Sequence, residues 1–323
     1  MTLSEAYETG KKQLQAAGIQ EFELDAFYLL ECVTGIARTK FYVDCKKDLA
    51  DEQVERYSDL LAMREQRIPL QHLTGEQEFM GLSFLVNEDV LIPRQDTEIM
   101  VEAALEVIRN QVRRMEQPEG KYGEEKQEEG INNDNQGQIF SFLDMGTGSG
   151  CILLSIIKHG YDKWKSKIEG IGVDISEKAL VVAKKNVNRI FSELTSKGLA
   201  DEIKITLIHS DLFDKVEGMF NMIVSNPPYI GTLEFDQLAA EVRSHEPKVA
   251  LDGGADGLWF YRHIIQDSKD YLLPGGELLL EIGATQGREV SDFMRHHGYI
   301  NVKITKDLSG LDRVVQGQYH NMR

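Results

Sequence analysis

The chain has 323 residues, 41% hydrophobic and 28% charged, enough to bury a sizeable core and leave room for a second, smaller domain. Its formal net charge of -17 excludes a broad Lys/Arg footprint for phosphate backbones, so bulk nucleic acid and anionic membrane are disfavoured as direct partners. Cys32, Cys45 and Cys151 lie far apart, with no CxxC pair and no histidine at metal-ligand spacing, which argues against a disulfide framework or a metal site.

The N-terminal stretch MTLSEAYETGKKQLQAAG has no apolar core with a small-residue cleavage site, and no apolar run reaches the length of a membrane span; a cytoplasmic protein is expected. Residues 2 to about 68 carry apolar positions at helical spacing, among them Leu24, Phe27, Tyr28, Leu30, Val54, Tyr57, Leu60 and Leu61, and predict several short helices forming a small helical domain over 1–76. From Phe79 to Ile92, short apolar runs broken by Gly81 and Asn87-Glu88-Asp89 read as a hairpin, within a linker over 77–95. Asp96 or Thr97 is the expected N-cap of a helix that begins EIMVEAALEVI. Residues 116–138 are acidic and nearly free of apolar side chains, and are expected to form a flexible surface loop without chemistry.

Beyond that loop, strand-like and helical runs alternate: IFSFLDM, CILLSIIKHG, KIEGIGVDI, EKALVVAKKNVNRI, IKITLIHSD, FNMIVSN and LPGGELLLEIG. YINVKITKDLSGLDRVVQGQ then offers two strands around a glycine turn. The alternation predicts an α/β domain over 96–323, with a mostly parallel sheet covered by helices on both faces. In such a sheet ligands bind beyond the carboxyl ends of the strands, so the residues that follow each strand are the candidates for chemistry.

Asp144-Met145-Gly146-Thr147-Gly148-Ser149-Gly150 is a glycine-rich turn entering a helix, where the backbone can approach a ligand closely. The dinucleotide fingerprint needs Gly or Ala where this chain has Cys151, and no Gly-Lys-Ser/Thr follows for a phosphate loop. Asp174, in GVDIS, stands where an acidic residue accepts from both ribose hydroxyls, although Asp174 or Ser176 would serve equally as a helix N-cap. Asp211 and Leu212, in SDLF, suit an exocyclic amine and the face of an adenine; a plain turn at Asp211 is the alternative.

The next strand ends in Asn226-Pro227-Pro228-Tyr229. Each proline holds the residue before it extended and fixes its own φ, so Asn226 and Pro227 form a stiff extended segment. The Asn226 side-chain oxygen and the Pro227 carbonyl then make a paired acceptor for one planar NH2 group, and Tyr229 adds an aromatic face. An amide nitrogen is a weak nucleophile because its lone pair is delocalised; two hydrogen bonds from its protons orient it and raise its electron density as a new bond forms.

The glycine turn, GVDIS and NPPY together resemble the Rossmann-like S-adenosylmethionine-dependent methyltransferases. More narrowly, the chain resembles the HemK/PrmC family, the protein-(glutamine-N5) methyltransferases of peptide-chain release factors. PLQHLTG, FMGLSFLVNEDVLIPRQDTEIMVE, EVRSHEPKVALDGGADGLWFYR, LPGGELLLEIGATQG and LSGLDRVVQG extend that resemblance nearly end to end. It implies a seven-stranded class I methyltransferase sheet behind a helical docking domain. It further implies S-adenosylmethionine, leaving as S-adenosylhomocysteine, as the methyl donor, with no metal. The cofactor would lie on Gly146, Thr147, Gly148, Ser149, Gly150, Asp174, Asp211, Leu212 and Asn226. Asn226, Pro227, Pro228 and Tyr229 would hold the glutamine of a release factor's Gly-Gly-Gln motif, with Arg94 and Thr97 in support. Two positions depart from the family's usual pattern: Gln95-Asp96 follow Arg94 where proline and glutamate are commoner, and Leu212 stands where an aromatic is frequent. Similar NPPY motifs occur in adenine-N6 and guanine-N2 methyltransferases of nucleic acids, which makes a base amine the rival substrate, while a non-catalytic nucleoside-binding scaffold is a third reading.

Overall fold

The structure, a computed structural model, describes residues 1–116, 139–164, 168–196 and 203–320. The N-terminal periodicity is realised as α1 (Leu3–Ala16), α2 (Phe22–Thr34), α3 (Arg38–Asp44), α4 (Asp51–Glu65) and α5 (Leu70–Thr74). A capping box opens α1: the Thr2 hydroxyl accepts from the Glu5 amide while the Glu5 carboxylate accepts from the Thr2 amide. Phe27, Leu30, Tyr57 and Leu61 are buried in one cluster, but Leu24 and Tyr28 face solvent. The reason is that α2 is apolar on most of its circumference, and only the faces turned to α1, α4 and α5 are covered.

A buried ion pair pins α2 to α4, with Arg64 Nε 2.7 Å from Asp25 Oδ2. The same guanidinium, and that of Arg67, reach Glu241 Oε1 at 3.4 and 3.3 Å on α9 (Ala240–His245), which belongs to the sheet domain. At the far end of α9 the Glu246 carboxylate receives Arg94. Burial raises the Asp25 pKa against the pull of Arg64, so the carboxylate depends on its partner. Arg64→Ala is therefore expected to destabilise the protein by about 3–5 kcal/mol, seen as a lower midpoint in urea unfolding, because it leaves a buried charge without its partner. A midpoint shift no larger than that of a surface Arg→Ala control would contradict this account.

β1 (Glu76–Phe79) and β2 (Leu82–Leu85) pair antiparallel around Met80-Gly81, both at positive φ. The hairpin thus starts before the expected Phe79, and Asn87-Glu88-Asp89 follow it rather than turn it. EQEF buries only Phe79 and so lacks the apolar alternation that marks a strand in sequence. Gln95–Thr97 form a 3-10 turn leading into α6 (Glu98–Glu116). The side chains of both expected caps are engaged across the fold, Asp96 with Arg313 and Thr97 with Asn226. Beyond Glu116, which ends α6, the expected loop over 116–138 lies outside the described residues.

The strand-like runs become β3 (Phe140–Met145), β4 (Ile168–Asp174), β5 (Ile203–His209), β6 (Phe220–Ser225), β7 (Leu272–Glu281), β8 (Tyr299–Lys306) and β9 (Asp312–Tyr319). They form a seven-stranded sheet in the order β5-β4-β3-β6-β7-β9-β8, parallel from β5 to β7, with β9 antiparallel to both neighbours. This is the Rossmann-like methyltransferase sheet the sequence predicts. Period-2 alternation splits its side chains between two cores. Phe140, Phe142, Met222 and Val224 meet α6 and α7 (Cys151–Trp164) on one face; Leu143, Met145, Ile223 and Leu280 meet α10 (Trp259–Asp267) and α11 (Gly287–His296) on the other. Strand order reverses at β3, so the crevice between the carboxyl ends of β3 and β6 is the topological switch point where such sheets bind ligands. Among the described residues no helix is long and apolar enough to cross a membrane.

Candidate active site

Register brings the two ends of the crevice together. Met145 pairs with Ser225, whose hydroxyl donates to the Met145 carbonyl at 2.7 Å, so the glycine turn and Asn226 leave the sheet side by side. Gly146, Gly148 and Gly150 all have positive φ, and a side chain on Gly146 or Gly148 would project into open space, the room a ligand needs against the backbone. The turn feeds the N-terminus of α7, whose dipole favours a negative group such as a carboxylate.

Asp144 is fully buried beneath this turn. Its Oδ2 accepts from the Thr147 hydroxyl at 2.7 Å and from the Leu153 amide at 3.2 Å, whereas Oδ1 has no partner among the described residues. Burial pushes its pKa up to about 7 against those hydrogen bonds. Asp174 ends β4, and its two oxygens accept from the amides of Gly148 and Ser176, both at 2.8 Å. Ser176 Oγ in turn accepts from the Ala179 amide, so of the two cap candidates it is Ser176 that caps α8 (Glu177–Ser196). Each Asp174 oxygen keeps a lone pair for a further donor. Burial raises its pKa, and the three backbone hydrogen bonds together with His209 pull it back down.

Asp174, Ile175, Asp211, Leu212, Asn226, Pro227 and Pro228 line one cavity of about 280 Å³ with Gly146 and Gly148. Leu212 takes φ 44°, rare for a residue with a side chain, and the Ser210 hydroxyl holds the turn by donating to the Leu212 carbonyl and accepting from the Lys215 amide. Tyr229 is not part of this wall. Its ring packs, partly buried, on the core cluster of Tyr261 and Ile282, and burial pushes its phenol up to about 12. Thr97 is buried behind Asn226 and accepts from Asn226 Nδ2 at 3.4 Å, while Arg94 is engaged with Glu246. Among the described residues, neither Asn226 Oδ1 nor the Pro227 carbonyl receives a hydrogen bond, so the paired acceptor is unspent.

Several residues that shape NPPY went unassigned from sequence. Gln286 Nε2 donates to the Tyr229 carbonyl at 3.0 Å and to Gly257, while its Oε1 accepts from the Gly283 amide at 2.9 Å. Ile230 pairs with the 251–253 segment, donating to Leu251 and accepting from Gly253. At Gly257 a Cβ would stand 2.4 Å from the Tyr229 carbonyl oxygen, so glycine is required there by close approach. Glu281 ends β7 beside Asn226 and is 1% exposed. The detectable signal was an acidic residue closing the otherwise apolar run LLLEIG, and the three glycines of VALDGGADG.

The chain is similar to known proteins along nearly its whole length. Residues 5–75 match the PrmC N-terminal domain family and residues 131–304 the methyltransferase small domain family. The release factor glutamine methyltransferase of Caulobacter vibrioides is 35% identical over 318 residues, covering 98% of this chain and 96% of the relative. That of Moorella thermoacetica is 36% identical over 315 residues, covering 97% of each. Among solved structures, the hMettl16 catalytic domain in complex with MAT2A 3′UTR hairpin 6 superposes with a TM-score of 0.51 at 15% identity, over 82% of this chain and 83% of that one, a likeness of fold alone.

Proposed function

The chain belongs to the release factor glutamine methyltransferases, and on that premise we propose that it methylates the side-chain amide nitrogen of the glutamine in the Gly-Gly-Gln motif of a peptide-chain release factor. The observation that carries this reading is the unspent acceptor pair, Asn226 Oδ1 and the Pro227 carbonyl, on a stiffened strand end beside the glycine turn. A pair of acceptors matches the two protons of a primary amide.

The residues of the crevice fit S-adenosylmethionine. Gly146 and Gly148 leave open space against the backbone, the α7 N-terminus suits a carboxylate, Asp174 keeps acceptors for ribose hydroxyls, and the partnerless Asp144 oxygen lies under the same turn. Asp211 and Leu212 would border the adenine. When bound, that cofactor would supply a methyl group on a positively charged sulfur, a leaving group that departs neutral. Asn226 and Pro227 would orient the glutamine nitrogen and stabilise, through their carbonyl dipoles, the positive charge that arises on it as it bonds to the methyl carbon; one of its protons would then pass to solvent water. No metal takes part in this scheme.

The helical domain, 1–76, serves docking in this reading, with 77–95 as linker and 96–323 as the catalytic domain. The exposed Tyr28, Tyr42 and Val43 on α2 and α3 support it, since exposed apolar and aromatic surface is what a protein partner would cover. Pro228 completes the substrate side, Tyr229 braces it from the core, and Arg94 and Thr97 support it from behind. A cytoplasmic location follows from the substrate, which works on ribosomes.

The test is incubation of the purified protein with labelled S-adenosylmethionine and, separately, intact release factor, DNA and RNA. The expected result is a mass increase of one methyl on the Gly-Gly-Gln glutamine and no label on nucleic acid. Label on nucleic acid alone would overturn the reading in favour of a base amine.

A further inference from the structure

Glu281 is buried at the end of β7, and its Oε2 has no hydrogen-bond partner among the described residues. Leaving a carboxyl oxygen unsatisfied in a core is costly, and neither the sheet nor the scheme above uses it. Parallel register puts it next to the amide site: Ser225 pairs with Leu280, and Asn226 and Glu281 stand one step further on their two strands. Thr97 and Asn226 face its carboxyl closely enough to favour its charged form. Thr97 Oγ1 already accepts from Asn226 Nδ2, so its own proton is free to go to Glu281.

We infer that Glu281 is a positioning residue for methyl transfer: by occupying the N–H side of the Asn226 amide, directly and through Thr97, it turns Asn226 Oδ1 to the substrate nitrogen and strengthens it as an acceptor. The inference rests on the reading of Asn226 as holder of the transferred amide. A flipped Asn226 would set its oxygen against a carboxylate, so the anion selects one of two otherwise similar orientations. Donation from the NH2 group to an anion polarises the amide and makes its oxygen more negative, the cooperative strengthening expected of chained hydrogen bonds at low dielectric. The charge also favours the positive nitrogen that transfer creates.

The charged and titratable groups facing Glu281 are Arg313 from β9, Asp96 from the turn before α6, Tyr229, Tyr261 from α10 and Cys151 from α7. Burial dominates and pushes the carboxyl up to about 7, while Thr97, Arg313 and Asn226 favour its charged form. The ionised form is the one that holds Asn226, so transfer is lost as pH falls through that value.

The test compares wild type with Glu281→Gln and Thr97→Val on intact release factor, and follows the Asn226 side-chain amide by NMR of the full chain. For Glu281→Gln the expected kcat is about 30-fold lower, with KM and cofactor affinity within about threefold, and the acid limb of the kcat profile removed. Thr97→Val lowers kcat less and keeps cofactor binding. In wild type the Asn226 amide resonance titrates near pH 7, and in Glu281→Gln it does not. An unchanged kcat and acid limb in Glu281→Gln, a parallel loss of cofactor binding, or an Asn226 resonance that does not titrate would each overturn the inference. Wild type that leaves the glutamine unmodified while the resonance still titrates would instead sink the proposed substrate and leave the Glu281–Asn226 link standing.

Discussion

Asn226→Ala is expected to lower kcat for release-factor methylation by about 10³-fold, the upper range for removing one preorganised dipole from a transition state. The truncation removes Oδ1, one of the two acceptors for the amide protons, and strands Thr97 and Glu281 without the donor they face. Cofactor affinity should fall by less than about tenfold, because the glycine turn and Asp174 remain in place. Single-turnover kinetics with saturating cofactor, alongside calorimetry with S-adenosylhomocysteine, separates the two effects. Equal loss of both, in a folded protein, would make Asn226 chiefly a cofactor residue. Untouched transfer would remove the acceptor pair from the mechanism.

Asp174→Ala should act on the other half of the site. Two hydrogen bonds from ribose hydroxyls to a carboxylate, at about 1.5 kcal/mol each, predict a cofactor Kd raised about 100-fold. The substitution also strips acceptors from the Gly148 and Ser176 amides, so it loosens the glycine turn as well as the sugar contact. Asp174→Asn retains one acceptor oxygen and should cost about tenfold in affinity. With cofactor at saturation, kcat should return to within about threefold of wild type, since uniform binding is what was lost. A Kd unchanged in Asp174→Ala would show that Asp174 serves only the backbone it holds.

The contrast between these residues and Glu281 explains what could be read from the sequence. Asp174, Asn226 and the glycine turn each follow a recognisable strand, and in a parallel sheet the strand order alone brings such ends to one edge. Their local chemistry, a glycine alternation or a double proline, is visible in a few residues. Glu281 and Gln286 act on NPPY from 50 or more residues away in sequence, through a register and a loop crossing that no local period encodes. Gly257 is required by a backbone oxygen that only the folded chain supplies. The hairpin boundary was missed for the opposite reason: EQEF is a strand whose side chains mostly face water, so pairing partners define it and its own pattern does not. At Asp174 and Ser176 the sequence left two equivalent caps, and the division of labour was decided by which of them the Gly148 amide reaches.

The short helix α9 has a mechanical meaning. One end is gripped by Arg64 and Arg67 of the helical layer, and just past its other end Glu246 is gripped by Arg94, three residues before the threonine that contacts Asn226. Six helical residues span about 9 Å, so α9 works as a stiff strut between two charged clasps. The helical layer and the floor of the one-residue pocket are thereby tied by one continuous chain of charged contacts.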